Sequence, residues 1–427
     1  MAVLDYFRNL FSRKPAEKRG FYEQSSVFSN STGSGVAVSK DSAMTFAAVF
    51  AAIRILSESV AQLPLQLIER DVDGNKTIRS DHPLYNLVHR KPNAYMPTFV
   101  FLQKIMADLC TNGNSYVQIV RDNAARPIEL KLLQADEMQV KQIENRYYYE
   151  YAGGGAAAIF EVEDLLHFKG LSNDGIVGLS PIATCANSIG WGLALEQYGN
   201  TYFRNGAKVS GVLQTDRSLS TEAVDRLRNS FNLNYSKIGD SNKTLILEEG
   251  LKFNTISLSN EASQFLVSRQ FSIEEIARIF NLPPHLLRDL SKSSFSNIQE
   301  QSREFVQYSL VPYLNMIESE IDAKLFKQDE VGKLFVEFNV NALLRGNPKD
   351  RSEYYRTMLN IGAMSINEIR QKENLNSIGE DGDNLFMQMN MTTLTNIVEG
   401  EPVAEAPAPP EVDEELLEEE EITNGTT

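Results

Sequence analysis

Apolar side chains recur at helical spacing through most of the segment 260–326, which dominates the C-terminal half of the chain. In its first part they lie mostly three or four positions apart, and therefore on one helix face. These residues are Phe265, Leu266, Phe271, Ile273, Ile276, Ile279 and Phe280. Ser272 precedes two glutamates in the manner of a helix N-cap, so the pattern predicts that two helices meet near Phe271. Pro283 and Pro284 end the second helix, because proline lacks an N–H and restricts the preceding residue.

The stretch 283–297 is rich in serine and is predicted to be a loop, because it cannot bury much apolar surface. It carries Arg288 and Lys292 and a single acidic residue. Helical spacing resumes over 298–326, and at about 1.5 Å per residue this helix is roughly 40 Å long. Pro312 lies well inside it, so we expect a kink there.

The N-terminal half combines helical periodicity with short alternating runs, the pattern of a mixed α+β fold. Ser42 is placed to cap a helix that ends at Pro64. The run 65–79 alternates as a hairpin around Asp73-Gly74-Asn75. Between residues 115 and 170, apolar and aromatic runs predict the strands of an antiparallel sheet.

A second long helix precedes the segment 260–282. Ser180 as N-cap and Pro181 at the first helical position begin a helix that runs to about Phe203. The intervening residues 207–258 have the pattern of a strand, a helix and a hairpin. The sequence therefore predicts two long helices separated by a compact α/β insertion.

Both ends of the chain lack a core-forming pattern. Residues 14–40 are polar and rich in Ser and Gly, and we expect them to be mobile. Residues 1–14 fit either a frayed amphipathic helix on its own domain or a docking segment for another chain. From about Met387 the periodicity is lost, and the proline-spaced acidic sequence predicts a disordered tail.

The formal net charge of −16 is unevenly distributed. No Lys, Arg or His follows Lys372, and residues 373–427 hold 15 of the 57 acidic residues, which leaves 42 acidic against 41 basic residues in 1–372. The body is therefore nearly neutral. This argues against a protein that reads nucleic-acid sequence, because such proteins present a basic face. It is also the charge balance of most proteins that never contact DNA.

The residue types needed for catalysis or metal binding do not occur in suitable patterns. None of the four histidines lies at metal-ligand spacing from another His, Cys or acidic cluster. There is no Walker-type loop and no nucleophile–base pair, so we expect no enzyme activity, metal or cofactor. His167, which is flanked by apolar residues, is interpreted as a structural histidine at the end of a strand.

The cysteines and the apolar runs define the expected compartment. Cys110 and Cys185 lie in apolar surroundings and do not support a disulfide framework, which indicates synthesis in a reducing cytoplasm. The longest apolar run is interrupted by Arg54 and is too short to cross a bilayer. The N-terminal residues lack the apolar core of a secretory signal, so no membrane association is expected.

Several motifs follow one another in a fixed order. Residues 49–64 read VFAAIRILSESVAQLP, 274–287 read EEIARIFNLPPHLL, 295–301 read FSNIQEQ and 364–370 read MSINEIR. This ordered set resembles the portal proteins of tailed double-stranded DNA phages, in the branch that shares the common tailed-phage capsid system. The resemblance covers roughly residues 41–385. It departs from the family by one extra residue in FSNIQEQ, by Asn-Ser in place of a proline region, and by EDGD in place of GGD.

The resemblance implies a portal fold of the α+β class, with an antiparallel-sheet wing, long stem helices, a small α/β clip insertion, a long kinked helix and a helical crown. The implied regions are a flexible N-terminal leader 1–40, a wing 41–177, a first stem helix 178–206, a clip 207–258, a second stem helix 259–282, a tunnel loop 283–297, a long kinked helix 298–326, a crown 327–386 and an acidic disordered tail 387–427.

The family's function implies what this chain does and which partners it meets. A portal ring, dodecameric in the family, forms a channel at one capsid vertex through which genomic DNA is packaged and ejected. The implied partners are further copies of the chain, double-stranded DNA without sequence specificity, the terminase large subunit, the major capsid protein and a head–tail adaptor. The implied location is the virion, after assembly in the host cytoplasm.

In the family, the loop before the long helix projects into the channel. The residues here expected to face DNA are Arg288, Ser291, Lys292, Ser293, Ser294 and Ser296. Pro283 and Pro284 define where this loop begins. The alternative for the loop is an exposed segment with scattered charges. The alternatives for the whole chain are a virion scaffold or adaptor without DNA contact, and a hydrolase such as a phosphodiesterase.

Overall fold

The computed structural model describes residues 21–22, 32–143, 146–155, 157–204, 211–215, 219–235, 252–255, 261–288, 301, 303–340, 348–373 and 375–386. Within these residues, α-helices combine with antiparallel strands, which confirms the predicted α+β class. The chain divides into two compact units, Met1–Asn339 and Val340–Thr427.

The α-helices of the described residues are spread along both units. They are α1 (Lys40–Thr45), α2 (Ala47–Ala61), α3 (Thr98–Asn112), α4 (Pro181–Thr184), α5 (Ala186–Arg204), α6 (Thr221–Tyr235), α7 (Glu261–Ile279), α8 (Val311–Leu325), α9 (Pro348–Asn360) and α10 (Ile366–Lys372). A short helical segment at Pro83–Tyr85 continues as the π-helical turn Asn86–Arg90. A second π-helical turn, Phe305–Leu310, leads directly into α8.

The strands of the described residues all belong to the first unit. They are β1 (Phe21–Tyr22), β2 (Leu65–Arg70), β3 (Lys76–Ile78), β4 (Asn114–Arg121), β5 (Pro127–Leu133), β6 (Met138–Ile143), β7 (Arg146–Tyr151), β8 (Ala158–Phe160), β9 (Leu165–Lys169), β10 (Gly211–Gln214), β11 (Lys252–Thr255) and β12 (Leu334–Phe338).

The strands between residues 115 and 170 form two sheets, so the prediction of a single sheet is wrong. One sheet has the order β5-β4-β9, and the other has the order β1-β6-β7-β8. The 3-10 helical turn Ala135–Glu137 separates β5 from β6 and ends the pairing of the first sheet. The three glycines Gly153–Gly155 connect β7 to β8, as predicted for a hairpin tip.

The predicted hairpin around Gly74 is observed as β2 and β3, and a distant strand extends it. β12 pairs with the other edge of β2, with Leu334 opposite Glu69 and Phe338 opposite Leu65. β12 lies in the region predicted to be the crown, yet it belongs to the first unit, and the second unit begins at Val340. The boundary at residue 327 therefore does not match the compact units. β10 and β11 pair with each other. The turn and the first strand of the hairpin predicted after α6 lie outside the described residues.

The segment predicted to be a mobile leader includes residues that pack on the body. Thr32 is buried, and the N–H of Gly33 donates a hydrogen bond to Oδ1 of Asn187 in α5 at 3.1 Å. Ser39, rather than Ser42, is the N-cap of α1, and Ser42 completes the capping box from the third helical position. The helix predicted from Ser42 to Pro64 is interrupted at Phe46, between α1 and α2. The local Ser-Gly composition did not reveal these packed positions.

The core of the first unit lies between its helices and sheets. α2 packs against α3, with Leu56, Ile105 and Met106 fully buried. A cluster that includes Tyr116 and Tyr149 joins the two sheets. Each large apolar side chain so buried contributes about 1.5–3 kcal/mol. Helix α8 packs on β9 and on β12, which belong to the sheets β5-β4-β9 and β12-β2-β3. These contacts fix the direction of the long helix relative to those two sheets.

The second unit contains α9 and α10. Ser365 and Glu368 form the capping box of α10, with Ser365 Oγ accepting from the Glu368 N–H at 3.2 Å. The Asn367 amide donates to the carbonyl of Gly379 and to Asp383, at 2.8 and 2.7 Å. The Asn-Glu pair of the MSINEIR motif therefore starts the helix and holds the turn that follows it.

Candidate functional site

The region expected to be the second stem helix contains a single helix, α7, so the prediction of two helices meeting near Phe271 is wrong. Ser272 is buried, and its hydroxyl donates to the carbonyl of Arg269 at 2.7 Å. A serine inside a helix satisfies its hydroxyl in this way instead of capping a new one. The helix that continues through this position packs against α5 and α2.

The helix expected to be the first stem helix begins as predicted, but it is interrupted at Cys185, after its first turn. Ser180 Oγ accepts from the Ala183 N–H at 3.1 Å and donates to the carbonyl of Thr111 at 2.6 Å. α4 ends at Cys185, and the long helix α5 follows. Both hydrogen-bonding functions of Ser180 are thus used in capping and anchoring.

Aromatic contacts join α5 to α7. The Trp191 and Phe271 rings meet edge to face with centroids 5.9 Å apart, and the Tyr198 and Phe265 centroids are 5.7 Å apart. Arg278 lies over the Phe271 ring at 5.5 Å and also pairs with Glu274 and Glu275 of its own helix. Its charge is therefore balanced within α7.

Part of the surface of this helix pair is apolar. Leu266 and Val267 are 66% and 67% exposed, and Phe271 is 46% exposed. Tyr198 and Tyr202 are exposed aromatic residues of α5, and their rings stack with centroids 6.3 Å apart. We call Tyr198, Tyr202, Leu266, Val267 and Phe271 the stem apolar surface.

Helix α7 ends in a left-handed stop. Asn281 has φ = 51°, and its N–H donates to the carbonyl of Arg278 at 3.2 Å. The N–H of Leu282 donates to the carbonyl of Ala277 at 2.8 Å. These two bonds are those of the Schellman motif, with Asn281 in the position that glycine or asparagine usually occupies. Because Leu282 is buried, the chain leaves the helix in a fixed direction.

Pro283 and Pro284 lead into a single 3-10 turn, Pro284–Leu287, at the start of the predicted loop. Arg288 follows with φ = 65° and an exposed side chain. Of the six residues expected to face DNA, it is the one that lies within the described residues. Ser291, Lys292, Ser293, Ser294 and Ser296 lie outside them.

The end of α7 is joined to the start of the long helix by two hydrogen bonds. The Asn281 Nδ2 donates to the carbonyl of Tyr308 at 2.8 Å, and the Ser309 hydroxyl donates to the carbonyl of Asn281. Tyr308 and Ser309 belong to the π-helical turn before α8, and Pro312 is in the first turn of α8. A π-helical turn and a proline are both recognised causes of helix bending, and the bend predicted at Pro312 stays a prediction.

Sequence reasoning did not identify Asn281 and Ser309. An asparagine two residues before a paired-proline stop is a signal for a helix C-terminus, and it was available in the sequence. Ser309 gave no signal, because its partner lies 28 positions earlier in the chain.

The part of the chain that the structure describes contains no group of three or more His, Cys, Asp or Glu residues that could hold a metal ion. None of the helices described there is long and apolar enough to cross a membrane.

Comparison with known proteins relates the chain to one family. A sequence profile described as "Phage portal protein" matches residues 47–374. The portal protein of Enterobacteria phage HK97 is 33% identical over 355 residues, which are 82% of this chain and 83% of the relative.

Solved structures share the fold at lower identity. The crystal structure of an HK97-family phage portal protein from Corynebacterium diphtheriae superimposes with a TM-score of 0.55 at 18% identity, covering 73% of this chain and 98% of the other. A chain from the neck of a native GTA particle, computed with C12 symmetry, gives a TM-score of 0.53 at 21% identity and covers 79% of this chain and 93% of the other.

Proposed function

The chain belongs to the phage portal protein family, and we propose that its copies close into a dodecameric ring through which genomic DNA is packaged and later ejected. The observation that carries this proposal is the family match over residues 47–374, which spans both stem helices, the paired-proline stop and the long helix α8. The ring lies at one vertex of the capsid in the virion, where portal proteins are located.

The stem apolar surface supports self-association. In a cyclic ring every subunit uses two different patches, one for each neighbour. Leu266 is about 100° from Val267 around the axis of α7, since successive residues of an α-helix turn by that angle. Both are about two-thirds exposed in the single chain, at 66% and 67%. Two apolar side chains facing different directions on one helix fit contacts with a neighbour on each side.

The loop that begins at Pro283 is proposed to contact the DNA. Arg288 and Lys292 would meet phosphates, and Ser291, Ser293, Ser294 and Ser296 would donate hydrogen bonds without reading bases. The nearly neutral body supports this role, because many strong phosphate contacts would hold moving DNA in place.

The proposed partners follow from the same assignment. They are the major capsid protein around the ring, the terminase large subunit during packaging, and a head–tail adaptor afterwards. The role is structural, and the force for packaging comes from the separate motor. Assembly takes place in the host cytoplasm.

Electron microscopy and native mass spectrometry of the full chain test the ring. The expected result is a hollow annulus of twelve subunits, whereas a compact monomer or a solid cluster would favour a scaffold or adaptor without a channel.

The DNA contact is tested separately with Arg288→Ala combined with Lys292→Ala, which should lower the DNA content of particles several-fold and leave ring assembly intact. Lys91→Ala combined with Lys333→Ala removes the same charge from two exposed positions elsewhere and serves as the control. Unchanged DNA content in the first variant would contradict the assignment of the loop.

A further inference from the structure

The side chain of Asn281 is not needed to stop α7. The backbone N–H groups of Asn281 and Leu282 already bond to the carbonyls of Arg278 and Ala277. A glycine would adopt the same left-handed conformation at no steric cost. The Asn281 side chain instead reaches a different element, where its Nδ2 donates to the carbonyl of Tyr308.

The carbonyl of Tyr308 lacks the backbone N–H donor that an α-helix normally supplies. In an α-helix it would accept from the N–H four residues later, which is position 312. That residue is Pro312, and proline has no N–H. Asn281 thus supplies a donor at the carbonyl from which Pro312 withholds one. The Ser309 hydroxyl returns a bond from the same turn to the carbonyl of Asn281.

We propose that Asn281 and Ser309 are positioning residues of the portal channel. Together with the carbonyl of Tyr308 they form a polar joint that fixes the end of α7 against the start of α8. The chain between Asn281 and Arg288 is short and largely fixed, with Pro283, Pro284 and the 3-10 turn in sequence. The joint therefore sets where Arg288 stands relative to α8. This inference rests on the proposed function, since it gives Arg288 a place beside the DNA.

The joint has a property that a simple helix cap lacks, namely its dependence on Pro312. If Asn281 replaces the donor that proline withholds, then Pro312→Ala should make the amide of Asn281 dispensable by restoring the backbone N–H. A side chain that only ends α7 would be equally important in both backgrounds. The two residues should therefore be energetically coupled, which a double-mutant cycle measures.

The experiment uses the full chain with Asn281→Gly, which keeps the left-handed backbone and removes the donor. Ala125→Gly is the control, because Ala125 also has a positive φ of 59° but no side-chain hydrogen bond to lose. The readouts are the thermal midpoint of the assembled ring and the DNA content of particles.

Asn281→Gly should lower the midpoint by several degrees and the DNA content at least threefold, whereas Ala125→Gly should lower neither. In the Pro312→Ala background, the midpoint loss caused by Asn281→Gly should be less than half of the loss that the same substitution causes in the parent chain. Equal losses in both backgrounds, or no loss of DNA content relative to the control, would overturn the proposal. Should Asn281→Gly prevent assembly, Ser309→Ala tests the joint instead, because it removes one bond of the joint and leaves the backbone of Asn281 unchanged. It should lower both the midpoint and the DNA content, and unchanged values would overturn the proposal.

The outcomes separate this inference from the proposed function. If the Arg288 and Lys292 double variant packages normally while the coupling between positions 281 and 312 is present in the midpoints, the joint exists but the loop does not contact DNA. If that double variant loses DNA and the coupling is absent, the channel assignment holds and the joint does not.

Discussion

The Oδ1 atom of Asn114 lies 3.0 Å from Nε2 of His167, and both side chains are buried. Asn114 Nδ2 donates to the carbonyls of Gly178 and Asn112, so its Oδ1 is the acceptor toward the ring. Nε2 of His167 must therefore carry the proton. Its Nδ1 then accepts from the hydroxyl of Tyr149 at 3.1 Å, which leaves the imidazole neutral and fully paired.

This histidine links both sheets and the long helix. Its backbone N–H donates to Glu320 of α8 at 2.8 Å, and Glu320 pairs with Lys324 at 2.7 Å. Burial, and then the charges of Lys169 and Lys324, lower the pKa of His167 well below its ordinary value. His167 lies in the middle of β9 and not at a strand end as expected, and both of its ring nitrogens are hydrogen-bonded.

Acidification should destabilise the protein through His167. A histidine whose pKa is lowered by folding contributes stability that is fully present above its unfolded pKa of about 6.5 and is lost as the pH falls below it. His167→Gln keeps a donor and an acceptor but does not titrate. The variant should lose about 1–2 kcal/mol at pH 7.5 and less at pH 5. Urea unfolding at both pH values measures this, and a loss that does not change with pH would contradict the assignment.

A carboxylate of α8 should give the opposite dependence. Burial raises the pKa of Asp322 to about 6, although its Oδ1 accepts from the N–H of Val336 at 2.9 Å. A carboxyl with a raised folded pKa favours the folded state below its unfolded pKa, and this advantage is lost as the pH rises through 6.

Asp322→Asn preserves the acceptor and removes the charge. Because Asp322 is only half-buried, solvent screening reduces the effect, and the variant should gain on the order of 1 kcal/mol at pH 8 relative to pH 4. The same unfolding measurement tests this prediction. Lys333→Gln, at an exposed position next to the same strand, should show no comparable pH dependence. A variant less stable than the parent chain at pH 8 would show that the carboxylate charge is favourable there.

Glycine is required at position 113 because the backbone is left-handed there and because a side chain would have no room. It has φ = 73°, and a Cβ at this position would lie 2.1 Å from the carbonyl oxygen of Leu179. Gly74 has φ = 88° with nothing within 4 Å. Gly74→Ala should therefore cost about 1 kcal/mol from the left-handed backbone alone. Gly113→Ala should cost at least about 3 kcal/mol, because backbone must move. Similar unfolding free energies for the two variants would show that the backbone at Leu179 moves away from the added Cβ at little cost.

The features predictable from sequence were those that depend on a few neighbouring residues. Pro283 and Pro284 prevent the chain after α7 from continuing as a helix, because proline lacks an N–H, and Ser180 caps a helix through the turn that follows it. The hairpin at Gly74 is equally local. Each of these features can be predicted without knowledge of the rest of the fold.

The features that sequence reasoning missed depend on distant partners. Ser272 has the local pattern of a cap, and the packing of α7 against α5 and α2 decides that the helix continues. β12 pairs with β2 across more than 260 positions, so no local pattern identifies that partner. The bonds between Asn281 and the turn at Ser309 are missed for the same reason.

The stem apolar surface predicts which substitutions prevent ring formation. Val267 is 67% exposed on α7, and in the proposed ring it contacts a neighbouring subunit. Val267→Asp would bury a carboxylate without a partner at every interface, at a cost of about 1–3 kcal/mol for each one. The variant should therefore elute as monomers or small oligomers at concentrations where the parent chain forms rings.

Val72→Asp is the matched control for this prediction, because Val72 is completely exposed at the tip of the β2–β3 hairpin. It makes the same chemical change away from the stem helices. Light scattering coupled to size-exclusion chromatography compares the two variants, and circular dichroism verifies that both are folded. Intact rings with Val267→Asp would place the subunit contact on a different surface. Loss of rings with Val72→Asp alone would move it to the hairpin, because the two valines differ mainly in the element that presents them.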